Sequence, residues 1–243
     1  EPSSVLPFGQ VATQTTTSTN RPMIIGPNFI FLHTPKTAGS SFEQMMEQRH
    51  GLKVYGCQHN TARDIPVEHR DKWIFGFMRE PVDAEVSNWR YHYHSWDNNG
   101  TFTFERWCRW RYEEERNWGD FLGLNPHPLE YGHLFNIRPQ AGYFCDEEGQ
   151  CLANDIFKFD ELQSSLSLIS EKIKLDCDLT TFKGMSYGWG RGKEDYSQHA
   201  TQKSIKILTK AKLPDFELWQ KSSKLRVSTD YTCPTVPNYA YSR

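Results

Sequence analysis

Three absences narrow this chain before any motif is considered. None of its six cysteines stands in a CxxC pair, which removes the usual spacing of a zinc site, and no metal is expected. No apolar run approaches the roughly 18 to 20 residues of a membrane span, and no signal peptide is visible at residue 1, so the present chain is expected to make no membrane contact. Charge of either sign is not in excess: 28 Lys and Arg against 30 Asp and Glu leave a net charge of -2. That balance argues against a broad nucleic-acid or acidic-membrane footprint, so any anion site must be built locally.

What remains is a chain of 243 residues, 37% hydrophobic and 14% aromatic, enough to bury the core of a single domain. Its Ser/Thr-rich opening, with few large apolar residues after Phe8, reads as a flexible stem or linker over residues 1–22, leaving one folded domain over 23–243. A lumenal enzyme whose N-terminal anchor has been removed would look like this. Cys145 and Cys151 flank the polar turn "DEEGQ", which suggests a hairpin tied by a disulfide; two reduced thiols are the alternative. Asn99-Gly100-Thr101 forms a sequon in a turn-forming run, compatible with glycosylation.

Strand and helix patterns alternate. "NFIFLH" (28–33) and "KWIFGFM" (72–78) read as buried strands. Each leads through a short loop into a helix: residues 40–50 ended by Gly51, and a helix opened by Pro81 with Val82, Val86, Trp89 and Tyr93 on one face. Helical spacing recurs in "DELQSSLSLISEKIKL" and in "SQHATQKSIKILTKAK" before Pro214. The expected fold is α/β, with a P-loop-like central parallel sheet flanked by helices and ligands bound beyond the carboxyl ends of its strands.

The chemistry concentrates in "HTPKTAGSSF". A loop leaving a strand and entering a helix directs unpaired backbone N–H groups and the positive helix end at one point, which suits an anion. Lys36 adds a full charge, Pro35 fixes the entry, Thr37 and Ala38 continue the turn, Gly39 admits close approach to the backbone, and Ser40 and Ser41 offer hydroxyls. The nucleotide-kinase pattern GxxxxGK followed by Ser or Thr is not met, because Lys36 precedes Gly39. A plain turn with a solvated lysine would account for this segment alone. In "FGFMREPVDAEVS" a second loop places Arg79 directly after a strand and Ser87 about two helical turns on, a pair able to hold another phosphate. Arg79 could instead pair with Glu80 or Glu85 on a surface.

In tandem the two loops resemble those of the sulfotransferases that use 3′-phosphoadenylyl sulfate (PAPS). "TPKTAGSSF" is similar to their 5′-phosphosulfate loop and "REPVDAEVS" to their 3′-phosphate motif, most in the manner of Golgi carbohydrate sulfotransferases of the heparan and chondroitin type and their microbial relatives. "QHNTARDIP", "RPQAGYF", "DIFKFDELQ" and "LPDFELW" are similar to later family segments, so the likeness runs from about residue 28 to 220. Ala84 departs from the family, where many members carry an arginine, and "GMSYGWGRGKEDY" is richer in glycine; its Arg191 and Lys193 could close over the nucleotide and its Trp189 could stack, or the segment is a surface loop.

The resemblance implies sulfuryl transfer from PAPS to an acceptor hydroxyl of a carbohydrate, with 3′,5′-adenosine bisphosphate (PAP) as product, no metal, and a site in the Golgi lumen or secretory pathway. It implies that Lys36 stabilises the leaving 5′-phosphate and that His59 is the general base. His33, His92, His94 and Glu43 stand as other bases. The aromatic and charged stretch around Trp96, Trp107, Trp110 and Trp118 suits a sugar or a core, and Arg106, Arg109, Arg111 and Arg116 could line an acceptor groove. A nucleotide-dependent kinase and a catalytically inactive glycan-binding protein of the same fold are the alternatives.

Overall fold

The computed structural model describes residues 23–55, 60–93, 103–113, 139–146, 148–180, 196–220 and 226–227. Six strands form one sheet: β1 (Met23–Ile25), β2 (Phe29–Leu32), β3 (Val54–Tyr55), β4 (Trp73–Met78), β5 (Asp155–Lys158) and β6 (Arg226–Val227), in the order β3-β1-β2-β4-β5-β6. The expected α/β architecture holds at its centre, where β2, β4 and β5 run parallel. The edges depart from an all-parallel sheet, since β1, β3 and β6 join antiparallel.

Alternation along the strands explains why both faces are covered. Phe29, Phe31, Phe75, Phe77 and Phe157 point to one face. There they meet Phe42, Met45 and Met46 of α1 (Gly39–His50) and Leu166, Ile169 and Ile173 of the helix Leu162–Ile173, here α4. Ile30, Leu32, Ile74, Met78 and Ile156 point to the other face, against Ala62, Ala141, Tyr143, Phe144 and Leu218. Gly76 is needed on that face, because a Cβ there would sit 2.6 Å from the Phe144 ring and 2.7 Å from the Leu32 carbonyl oxygen. The missing side chain lets the 3₁₀ turn Gln140–Tyr143 lie close to β4.

A separate apolar cluster joins α2 (Pro81–Tyr93), α3 (Phe104–Tyr112) and α5 (Gln202–Ala211) through Val86, Trp89, Trp107, Cys108, Ile207 and Leu208. Trp107 and Trp110 are core residues. Pro214 does not stop the chain from being helical, because it lies in the first turn of α6 (Leu213–Gln220), where its missing N–H costs no hydrogen bond. Cys145 and Cys151 are partners in an isolated antiparallel bridge, and no disulfide is formed between them.

Candidate anion site at the carboxyl end of the parallel strands

Strand register determines which residues meet. Leu32 pairs with Gly76, and Met78 pairs with Lys158, so the loop after β2, Arg79 after β4 and Phe159 after β5 all leave the sheet at the same end. Thr34, buried, donates its hydroxyl to the Phe77 carbonyl and so ties the first loop to β4. Thr37 turns inward as well: its hydroxyl donates to the Thr34 carbonyl at 2.8 Å and lies 2.9 Å from the Thr34 hydroxyl. These two threonines hold the loop in shape, and the Thr37 side chain is occupied by that task.

The loop is backbone-strained. Lys36 and Ala38 both adopt left-handed conformations, with φ of 65° and 64°. For non-glycine residues this costs about 1–2 kcal/mol each, and such strain concentrates at functional turns. Ala38 is the N-cap of α1 and offers no side-chain acceptor to the helix N–H groups. A turn curled in this way, leading into an uncapped 12-residue helix, presents N–H groups to an external anion. The Ser41 and Phe42 N–H groups are already bonded to the Ala38 carbonyl at 3.0 and 3.1 Å. The expected cradle of Thr37 to Ser41 therefore ends at Ser40, which is half-buried. Pro35, also half-buried, opens the turn.

Beneath the loop lies a pair that sequence reading named only as separate bases. His33 Nδ1 is 2.8 Å from Glu43 Oε1, and both residues are buried. The ring stacks on Phe31 with centroids 6.3 Å apart. A Cβ on Gly39 would collide with the His33 ring, so the glycine makes room for this histidine and lets α1 settle onto β2.

Lys36 and Arg79 face one another. Arg79 is buried, its Nη1 donates to the Lys36 carbonyl at 3.4 Å, and its guanidinium carbon lies 4.7 Å from the centre of the Phe159 ring. Lys36 Nζ rests 3.9 Å from the centre of the Tyr91 ring on α2. Burial, and then repulsion from Arg79, lower the Lys36 pKa to about 8, and no carboxylate among the described residues pulls it back up. Ser87 stands four residues before Tyr91, so it shares the face of α2 that Tyr91 presents to Lys36. Thus Lys36 and Arg79 meet at one end of the sheet, and Ser87 is placed only by its position on the second turn of α2.

Glu80 and Glu85, the carboxylates nearest to Arg79 in sequence, each make other contacts. Glu80 accepts the Asp83 N–H at 2.7 Å, capping α2, and burial raises its pKa. Glu85, fully buried, accepts from Trp107 Nε1 at 2.7 Å and pairs with Lys212 at 3.1 Å and Arg111 at 3.2 Å. Arg111 is therefore internal, which corrects its placement in an acceptor groove; Arg106 and Arg109 are exposed. Arg79 has another support instead. Its N–H donates to Gln140 Oε1 at 3.0 Å, and its carbonyl accepts from Gln140 Nε2 at 2.9 Å. Asp215 in turn accepts the N–H groups of Gln140 and Ala141 at 2.9 and 2.8 Å.

Sequence reading singled out neither Tyr91 and Phe159 nor Gln140 and Asp215. The latter pair lies within "RPQAGYF" and "LPDFELW", segments chosen for their resemblance, and only the folded chain shows that both converge on Arg79. His59, Arg191, Lys193 and Trp189, the sequon and the stem lie outside the described residues, as do Cys57, Cys233, Trp96, Trp118 and Arg116. Comparison with protein-family models, curated proteins and solved structures gives no match to this chain.

Proposed function

We propose that this chain is a PAPS-dependent O-sulfotransferase of P-loop-like fold, acting on a hydroxyl of a carbohydrate. The observation that carries the reading is the junction of Lys36 and Arg79 at the carboxyl ends of adjacent parallel strands, with the strained uncapped start of α1 beside them. Two cations held close, one with its charged form disfavoured, are stabilised by an anion between them. A nucleotide with phosphate groups at both its 5′ and 3′ positions fits such a divided cationic site. Its carbohydrate acceptor and its place in the Golgi lumen or secretory pathway rest on the resemblance in the two loops.

When bound, PAPS supplies an activated sulfuryl group attached to its 5′-phosphate. Lys36 and the N–H groups around Ala38 to Ser40 stabilise the negative charge that gathers on the leaving phosphate oxygen as its bond to sulfur breaks. Arg79, with Ser87, holds the 3′-phosphate and fixes the reacting end in line with the acceptor. His59 takes the acceptor proton as the new oxygen–sulfur bond forms, a contribution on the order of 100- to 10,000-fold. Arg191 and Lys193 are assigned to the nucleotide as further cations, a role that rests on the resemblance.

Titration calorimetry of the purified protein with PAP, and separately with ATP and magnesium, tests the reading. Micromolar binding of PAP, about 8 kcal/mol, is expected, with at least a tenfold loss in both Lys36→Ala and Arg79→Ala. Binding of ATP with magnesium in place of PAP, or of neither nucleotide, would overturn the assignment. PAP binding without sulfate transfer from PAPS to any glycan would convert it to the inactive binding protein.

A further inference from the structure

Arg79 begins where the sheet ends. The last register pair of β4 with β5 is Met78 with Lys158, so the backbone of Arg79 lies one residue past the ladder while remaining buried. Unpartnered, its N–H and carbonyl would each carry a desolvation penalty. The side-chain amide of Gln140 meets both, donating from Nε2 and accepting at Oε1, and so acts as one further rung of sheet at this residue. Gln140 is itself buried and is seated by Asp215, whose two carboxylate oxygens take the N–H groups at the start of the 140–143 turn. Asp215 is fully buried and follows Lys212, the counter-ion of Glu85. The bonds run without a break from α6, through Gln140, to the backbone that aims one guanidinium.

We propose that Gln140, seated by Asp215, is the positioning residue that gives this site its preference for a nucleotide bearing a 3′-phosphate. The inference rests on the assignment of Arg79 to that phosphate. A side-chain amide gripping both sides of one peptide residue fixes its backbone dihedrals, and through them the direction of the Arg79 side chain between the Lys36 carbonyl and the Phe159 ring. Releasing the grip leaves the charge in place and blurs its position. The first loop, held by Thr34, Thr37 and His33, has its own supports. Loss of Gln140 should therefore weaken recognition at the 3′ end of the nucleotide and spare the 5′ end.

The test compares the affinities of PAP and adenosine 5′-monophosphate, which lacks the 3′-phosphate, for wild type, Gln140→Met, Arg79→Ala and the double variant. Methionine keeps the volume and removes both hydrogen bonds. Gln140→Met is expected to lose about tenfold in PAP affinity with less than a twofold change for the monophosphate, and to add little once Arg79 is alanine. A general structural role would weaken both ligands alike and add fully to Arg79→Ala; that outcome, or an unchanged PAP preference, overturns the positioning role. If wild type shows no preference for PAP, it is the 3′-phosphate assignment that fails. Should Gln140→Met not fold, Asp215→Asn, which keeps the shape, is judged by the same ratio: a selective fall in PAP affinity supports the inference, and an unchanged ratio overturns it.

Discussion

Two lysines of this chain meet opposite fates. Lys212 is buried and Lys36 partly so, and burial alone would lower the pKa of each. Around Lys212, Tyr112, Glu85 and Asp215 reverse that effect and drive it well above the ordinary lysine range. Around Lys36 burial is joined by repulsion from another cation, Arg79, and the pKa falls to about 8. The first cluster carries its own carboxylate and joins α2 to α3 and to the junction of α5 with α6. The second stands at the end of the sheet, where Lys36 lies on a loop carrying two left-handed residues. A fold that holds two cations against a buried glutamate in one place, and sets a lysine against an arginine in another, separates cohesion from binding.

Breaking the ion-paired cluster around Glu85 should have the largest effect. Glu85→Gln keeps an acceptor for Trp107 but leaves Arg111 and Lys212 buried without their counter-charge, so urea denaturation should show a loss of about 3–5 kcal/mol. Wild-type acid behaviour follows the same residue. Burial raises the Glu85 pKa, but Lys212 and Arg111 outweigh it and hold it at about 2. An acid whose folded pKa is depressed adds stability above its unfolded value and loses it as pH falls toward the folded one, here between the ordinary carboxylate range and about pH 2. A wild-type protein whose stability is flat through that window would sink this assignment.

The open cluster should respond at the alkaline side. PAP binds the charged form of Lys36, so affinity should fall by up to about tenfold per pH unit above 8, and binding near pH 8–9 should take up a proton, read from calorimetry in buffers of different ionisation enthalpy. Lys36→Arg, which stays charged, should bind with an affinity that is level over the same range. Equal pH dependence in both proteins would show that Lys36 does not face the anion.

The smallest effect concerns stability without ligand. Because the folded pKa of Lys36 lies below its unfolded value, its charged form opposes folding, and that cost fades as pH rises from about 8 toward 10.5. Lys36 is partly exposed, so solvent screening reduces the term. Lys36→Met should leave the melting transition at pH 7 unchanged or raise stability by up to about 1 kcal/mol, while removing PAP binding. A clear destabilisation would mean that Lys36 serves cohesion after all.

Much of the scaffold was legible because it obeys local rules. Apolar runs marked β2 and β4, Pro81 marked the start of α2, and Gly51, with a φ of 64°, closes α1 as its position suggested. The short edge strands β1, β3 and β6, two or three residues each, were not, since segments that short carry no period of their own. The helix through Pro214 escaped notice because a proline that breaks a helix interior is harmless in its first turn.

The sequence by itself determined where charge could be offered to an anion: Lys36 and Arg79 each follow an apolar strand, and chain connectivity delivers both at strand ends. Only the tertiary structure decided which charged groups would meet. Parallel register placed Arg79 beside Lys36 and Phe159, whereas α3 and the start of α6 brought Arg111 and Lys212 to Glu85. The physical reason is that electrostatic interaction depends on distance and burial through space, and contacts between residues 79 and 140, or 140 and 215, leave no periodic trace along the chain.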